Sequence, residues 1–424
     1  MKYPIREAEM TGTNWRFVCG IALAVVMVAN ASWANGFRNP PETGEALSRD
    51  GGKLTSIKGA AATAVNPANL LGAKEPEVVA SLTLVHAKTD FDSALGSATT
   101  DDPWKALPNA FFAFPIEADQ LALGVGLTTP FGQSTEWKKD GVLRYSAPYF
   151  AELKLVNVNP TIAYRVHDRV AVGAGVDVFS STLEMKQFMP WSQVVGNPAA
   201  PDGEMKFDGD GSGVGWNVGV QVKLTERQQV GLVYRSGVKV DYDGDFSVGN
   251  VPAPAMAAPK SDFSSEIEFP AIAALGYGIQ VNDRLHLGAD VEWIEFSRFD
   301  ALPIDIGVNN ALLPTAAIPQ NWDDTWTYGV SAAYTLNESW VARAGYKFME
   351  SPIPDSTLAP TLPDADRHLL SAGLGYQSGR HHLDLAYAYS IFDDRTVSSN
   401  LDPALNGTYE LASHLFVVTY GIQL

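Results

Sequence analysis

From about residue 77 to its end the chain repeats one pattern: roughly ten residues alternating apolar with small or polar side chains, then a turn. Val170, Val172, Ala174, Val176 and Val178 point one way, and Ala171, Gly173, Gly175 and Asp177 the other. Leu285, Leu287, Ala289, Val291 and Trp293 oppose His286, Gly288, Asp290 and Glu292, while Leu383, Leu385, Tyr387 and Tyr389 oppose Asp384, Ala386 and Ala388. A period of two is a strand signature. Alternation alone does not say whether the apolar face meets a protein core or lipid.

Three features select lipid. Aromatic residues gather at segment ends, as in Trp322, Trp326 and Tyr328 or Trp340, Tyr346 and Phe348, the arrangement of girdles at lipid–water interfaces. Tight connections at His167-Asp168, Asn282-Asp283 and Asn337-Glu338 alternate with long ones near 186 to 211, 247 to 262 and 300 to 319. The chain also ends inside an alternating segment with Phe416, Val418, Tyr420, Ile422 and Leu424 on one face; such terminal strands usually close on an aromatic, so Leu424 departs from the pattern. No later segment approaches a helical membrane span, so a membrane form has to be a closed barrel whose backbone groups are all paired. Counting segments gives an all-β antiparallel barrel of about fourteen strands, an even number as such barrels require.

The first 34 residues carry a different signal. Lys2, Arg6 and Arg16 precede an apolar run from Phe17 to Ala29, followed by small residues at Ser32 and Ala34. This order predicts a cleaved secretory signal peptide over 1–34. The run is too short for the roughly 20 residues of a spanning helix. Cys19, the single cysteine, would leave with it, so the mature chain has neither disulfides nor cysteine chemistry. Residues 35–76 lack the alternation and are rich in Ala and Gly. There Asn66 is suited to cap a short helical turn with Pro67 at its first position, followed by Ala68. A compact plug is the natural use, because a barrel of about fourteen strands encloses more space than its own side chains fill. Domains are therefore expected at 1–34, 35–76 and 77–424.

A formal net charge of -18 excludes a nucleic-acid surface. The seven histidines are scattered without metal-ligand spacing, and neither a phosphate-binding loop nor a G-x-S-x-G elbow is present. No metal or cofactor is expected. Asp208-Gly209-Asp210-Gly211-Ser212-Gly213 looks like the opening of a calcium loop, but Gly219 stands where the bidentate Glu belongs, so a surface turn is expected. Asp241, Asp243 and Asp245 suit a solvated acidic edge. A lipid hydrolase would need a Ser–His pair, and Ser413 and His414, being neighbours in a strand, point to opposite faces.

Several motifs in one order resemble the FadL family of outer-membrane transporters for long-chain fatty acids and aromatic hydrocarbons. They are Asn66-Pro67-Ala68, Leu127-Thr128-Thr129-Pro130-Phe131-Gly132, Gly215-Trp216-Asn217-Val218-Gly219, Tyr234-Arg235-Ser236, Asp290-Val291-Glu292-Trp293 with Ser297-Arg298-Phe299-Asp300, and Ser351-Pro352-Ile353-Pro354-Asp355 with Leu362-Pro363-Asp364-Ala365-Asp366-Arg367-His368. The resemblance implies a fourteen-stranded monomer in the outer membrane, plugged by an N-terminal hatch bearing Asn66, Pro67 and Ala68. Ligand is implied to lodge among outer loops, move to a site beside the hatch, and leave sideways at a kinked third strand. Gly124 and Gly126, within the strand from about Gln120 to Thr129, are the kink candidates. Phe188, Met189, Trp191, Val194 and Val195 in one long loop, and Phe246, Val251 and Met256 in another, are candidates for capturing a hydrophobic ligand. Arg235, Arg343, Lys347 and Arg367 are the candidate partners of a fatty-acid carboxylate, since arginine can bond both oxygens. An aromatic hydrocarbon would need no cation. The expected function is hatch-gated diffusion of a hydrophobic molecule; the alternatives are an aromatic-hydrocarbon channel, an outer-membrane lipid hydrolase and an open porin.

Overall fold

A computed structural model describes residues 36–101, 103–253, 258–307 and 317–424. The signal peptide expected over 1–34, with Cys19, and the candidate Met256 lie outside them.

Fourteen antiparallel strands form one closed barrel. They are β1 (Glu77–Ser93), β2 (Trp104–Glu117), β3 (Leu121–Thr128, resuming at Gly132–Glu136), β4 (Phe150–His167), β5 (Val170–Met189), β6 (Gly203–Lys223), and β7 (Gln228–Arg235, resuming at Val238–Val248). The circuit continues with β8 (Lys260–Phe269, resuming at Ile272–Gln280), β9 (Leu285–Ile294), β10 (Thr325–Thr335), β11 (Trp340–Met349), β12 (Arg367–Ser378), β13 (His381–Phe392) and β14 (Gly407–Gln423). Closure comes from β1, which pairs with β14 from Glu77↔Gln423 to Asp92↔Thr408 and with β2 on its other edge. A ladder closed in this way leaves edges only where it is locally interrupted.

The faces are inverted relative to a soluble protein. Leu82, Val125, Ile162, Val178, Leu385 and Val418 are exposed, whereas Asp177, Asp290, Glu292, Lys347 and Asp384 are buried. An apolar outer band of this extent is stable only against hydrocarbon. Trp216, Trp326, Trp340, Tyr376 and Tyr420 stand on that outer face. Trp322 does not: it is buried and stacks on Phe37 with ring centroids 5.0 Å apart, so it belongs to the interior and not to a girdle.

The tight turns are shaped by their own side chains. Asn282 Oδ1 accepts the N–H groups of Arg284 and Leu285, and Asn337 Oδ1 those of Ser339 and Trp340, so each asparagine closes its hairpin from within. The longest outer connection expected, 186 to 211, shortens. β5 runs to Met189 and β6 starts at Gly203, so Phe188 and Met189 are strand residues, and Phe246 likewise lies within β7. Asp208–Gly213 is strand as well, not a turn. Past the membrane the alternation continues with charge in place of apolar groups on the outer face, as Asp208, Asp210, Asp241, Asp243 and Asp245 attest.

The segment from Gly36 to Pro76 lies inside the barrel. It forms α1 (Gly44–Ser48), a 3-10 turn (Gly59–Ala61), α2 (Ala62–Val65) and a second 3-10 turn (Pro67–Gly72), and it touches inward faces around the whole wall. Thr43 caps α1 by accepting the Ala46 N–H. Asn66 caps the last turn through the Ala68 N–H at 3.1 Å, with Pro67 at its first position. Glycines let the wall approach it: a Cβ on Gly173 would lie 2.4 Å from the Pro67 carbonyl carbon, and one on Gly219 2.2 Å from Asn66 Oδ1.

Candidate functional site

A cavity of about 110 Å3 sits above this internal segment, bounded by Arg38, Pro41 and Val65 of the segment and by Phe131, Arg235, Phe269 and Arg367 of the wall. Its two ends differ in chemistry. On the inner side, Glu292 receives Arg38 through both oxygens at 2.9 and 3.2 Å and Lys347 at 2.6 Å. Asp50 joins the lattice through Lys53 at 2.8 Å and Lys347 at 3.3 Å. Burial works against the Asp50 carboxylate, yet Lys347 and Lys53 hold it below the usual value. Asp290 Oδ2 accepts the Lys53 and Leu54 N–H groups at 2.7 and 3.1 Å. The lattice thus fastens the segment to β9 and β11 with directional bonds.

On the outer side the surroundings are aromatic. Phe37 is 3% exposed and is surrounded by Phe131, Phe269, Phe296, Phe299 and Trp322 at 5.0–6.0 Å between centroids. Just before it, the Gly36 N–H donates to Asp364 Oδ2 at 3.0 Å, which Ser351 also reaches. Burial lifts the Asp364 carboxyl above its usual value.

The wall itself is broken here. Pairing of β2 with β3 ends at Ala110↔Leu127, and β3 resumes at Gly132 paired with β4, its other edge met, among the described residues, only at the outer end, where Asp101 N–H donates to Glu136 O. The outer part of β2, from Trp104 to Asn109, is therefore paired on one edge alone. The internal segment stitches the break: Gly132 N–H donates to Phe37 O at 2.8 Å, Asn39 N–H to Pro130 O at 3.0 Å, and Asn39 Nδ2 to Thr129 O at 2.8 Å.

The chain matches, over residues 25–424, the family described as outer membrane protein transport protein (OMPP1/FadL/TodX). It belongs to that family. Among the family's members, the long-chain fatty acid transport protein of Escherichia coli O6:H1 is 25% identical over 398 residues, spanning 84% of this chain and 86% of that one. Outer membrane protein P1 of Haemophilus influenzae is 24% identical over 365 residues, spanning 78% and 77%. A FadL homologue from Pseudomonas aeruginosa superposes with a TM-score of 0.80 over 92% of this chain and 99% of its own, at 21% identity. The toluene transporter TodX of Pseudomonas putida does so at 0.75, over 91% and 99%, at 18% identity. These likenesses establish the fold of a FadL-type outer-membrane barrel.

Within this FadL-family barrel the residues singled out from sequence separate sharply. Of the four cations, Arg235 lies 3.6 Å from Asp177 and donates to Thr63 O, Arg343 pairs with Asp384 at 2.5 Å and Glu45 at 3.4 Å, and Lys347 is held in the lattice. Arg367 differs. It is 4% exposed and has no ion pair among the described residues; its Nη2 lies 3.7 Å from the Met349 sulfur, and its Nε has no hydrogen-bond partner.

Gly124 and Gly126 sit in unbroken pairing with β2 and β4; the interruption falls at Thr129–Phe131, where Pro130 cannot supply a ladder donor. A Cβ on Gly124 would meet Leu70 and Thr63, and one on Gly126 would meet Thr63, so their smallness serves the internal segment. Trp191 is buried and donates to Gly249 O, Phe246 packs with Phe207 at 5.0 Å, and Phe188 stacks on Tyr149 at 5.0 Å beneath Arg144. Met189 and Val251 are partly buried against the same core, and Val194 is exposed. Ser413 is buried inside while His414 faces out against Tyr387, so the two remain on opposite faces. Phe37, Arg38, Asn39 and the break at Pro130 were not singled out from sequence, although Pro130 inside an alternating run is the signal that could have found the break.

Proposed function

We propose that this outer-membrane barrel admits hydrophobic molecules by diffusion, long-chain fatty acids first among them, with the segment 35–76 as its hatch. The observation that carries the fatty-acid reading is Arg367, a buried guanidinium lining the cavity with no direct ion pair among the described residues, Asp364 and Asp50 acting on it only from beyond contact. A buried charge demands a counter-charge, and a ligand carboxylate supplies one. The ligand tail would lie among Phe131, Phe269 and Met349. At about 110 Å3 the closed cavity is smaller than the roughly 150 Å3 that benzene occupies in an engineered core. Ligand therefore enters as the hatch yields, and motion of Phe37 and Asn39 about the anchored Arg38 would free the β3 break for lateral exit into the bilayer. The chain acts as a monomeric carrier of ligand and not as a catalyst.

A second reading, passage of aromatic hydrocarbons, is favoured by the rings around Phe37, which suit another ring. Uptake of labelled oleate and toluene into vesicles carrying the barrel separates the two. Arg367→Gln is expected to weaken oleate binding about 10- to 100-fold, the equivalent of a charged hydrogen-bonded pair, and to leave toluene uptake intact. Equal uptake with and without the barrel for both ligands overturns the transport reading; oleate binding indifferent to Arg367→Gln overturns the fatty-acid version.

A further inference from the structure

The wall is interrupted a second time, far from β3. Pairing of β8 with β9 ends at Ile272↔Ile294, with Glu295 N–H reaching Ala271 O. It resumes only at Ser265↔Ile304 and continues to Phe263↔Ile306. Between these rungs β8 runs directly through Glu266–Ala271, while the facing chain takes the longer course from Glu295 to Pro303 and folds into a 3-10 turn at Phe296–Arg298. The strand edge from Glu266 to Pro270 therefore has no ladder partner on this side among the described residues.

Three observations bear on what such a break could do. It opens directly onto the cavity, whose wall includes Phe269, Pro270 and Ile272. From the detour, Phe296 and Phe299 drop inward against Phe37, at 5.7 and 5.5 Å, so the same hatch residue backs this break and the one at β3. The two breaks differ in height. Trp293 and Trp326, paired one rung inward of Ile294↔Thr325, form part of the outward aromatic girdle, and the detour begins just outward of them. It faces the headgroup layer. The unpaired stretch of β2 instead lies inward of Trp104, beside exposed Leu82, Leu84 and Phe112, and faces hydrocarbon.

We infer that the segment Glu295–Pro303 is an entry port at headgroup height, through which a hydrophobic molecule already partitioned into the outer leaflet reaches the cavity without first leaving the membrane. The inference rests on the transport reading above. Across the break from Glu266 to Pro270 its outer cover is slight: Arg298 pairs with Glu295 and, at 3.7 Å, with Glu268, side chains 41% and 39% exposed, and ion pairs so exposed hold little. The hydrogen bonds that fasten the detour join Ser297 to Asp324, Asp300 to Gln320 and Asn321 and, at its end, Ser265 to Pro303. Its inner cover is Phe296 and Phe299 packed on Phe37 and on Trp322, at 5.6 and 4.9 Å from the latter, apolar contacts that a hydrophobic molecule can replace in kind. A ligand partitioned into the headgroup layer has its polar end at this height and its apolar part directed inward, which matches a port at the girdle backed by an apolar cavity.

The test pins the port shut. The only cysteine, Cys19, precedes the barrel, so Glu268→Cys with Arg298→Cys puts one thiol on each side of the break. Joining them in vesicle-borne protein with a short cleavable bis-thiosulfonate is expected to lower uptake of membrane-partitioned oleate at least fivefold, and reduction of the linker is expected to restore it. If that double variant fails to assemble, Ser297→Cys carrying a bulky maleimide at the mouth gives the same reading through slowed uptake. Wild-type barrels active on oleate combined with cross-linked or blocked barrels at the unblocked rate overturn the port alone. Wild-type barrels that take up neither oleate nor toluene overturn the transport reading, and the port falls with it.

Discussion

The two halves of the barrel interior hold the same N-terminal segment by different physics. Immediately inward of Phe37, Arg38, Asp50, Lys53, Glu292 and Lys347 form a lattice of ion pairs that fixes position, since each bond has one geometry. Toward the outside, Phe37 is held by rings, whose attraction is broad in angle and can be given equally by a ligand. The contrast teaches where motion is cheap. The outer end of the segment can exchange partners with a hydrophobic visitor, while the inner end stays anchored.

That contrast can be broken most directly at its strongest point. Glu292→Gln leaves Arg38 and Lys347 buried with half their counter-charge, and breaking a buried pair in this way costs about 3–5 kcal/mol. Hydrogen exchange should show residues 38–54 losing protection while heat-modifiable gel mobility reports an intact barrel; retained protection would mean the lattice is not what anchors the segment. Next in size, Asn66→Ala removes a cap and the Nδ2 contacts to Leu54 O, Val220 O and Gln221 Oε1, each at 3.3 Å. The expected local loss is about 1–3 kcal/mol, seen as faster exchange over 60–72 and raised ion leak in planar bilayers.

In the outer half a volume-conserving change should be mild. Ile267→Leu is expected to cost under about 1.5 kcal/mol, and a thermal shift as large as that of Glu292→Gln would erase the distinction between the halves. The smallest effect concerns pH. Because burial raises the Asp364 carboxyl, with Arg367 and the Gly36 N–H opposing, its contribution to the stability of the folded outer half is full below the ordinary aspartate value. It is lost as pH rises through the lifted value. Unfolding midpoints followed by tryptophan emission should fall over that window in the wild type, and Asp364→Asn should flatten the response.

The fold was legible because a barrel writes itself locally: the alternation at Val170–Val178 and the turns at Asn282 and Asn337 depend on neighbours in sequence. The site was legible only in kind. Arg235, Arg343, Lys347 and Arg367 look alike along their strands, and only the positions of Asp177, Asp384 and Glu292, each two strands along the wall, separate the committed cations from Arg367. Phe188 and Phe246 were expected in loops, but the wall extends beyond the membrane, where charged residues replace apolar ones on the outer face and the alternation fades to the eye. Gly124 and Gly126 illustrate a different ambiguity, because a small residue in a strand can serve a bend or a neighbour, and here Thr63 and Leu70 are the neighbours.

The stitching of β3 by Phe37 O and the Asn39 amide groups has a consequence for selectivity. On the hatch reading proposed above, one set of three hydrogen bonds closes both the central passage and the side wall, so bolt and hinge are the same piece of chain. An ion or sugar too polar to displace the rings cannot loosen one closure while leaving the other shut, and a molecule able to loosen one finds both undone. The barrel can therefore be impermeable to solutes and permeable to lipids without a separate sensor for either.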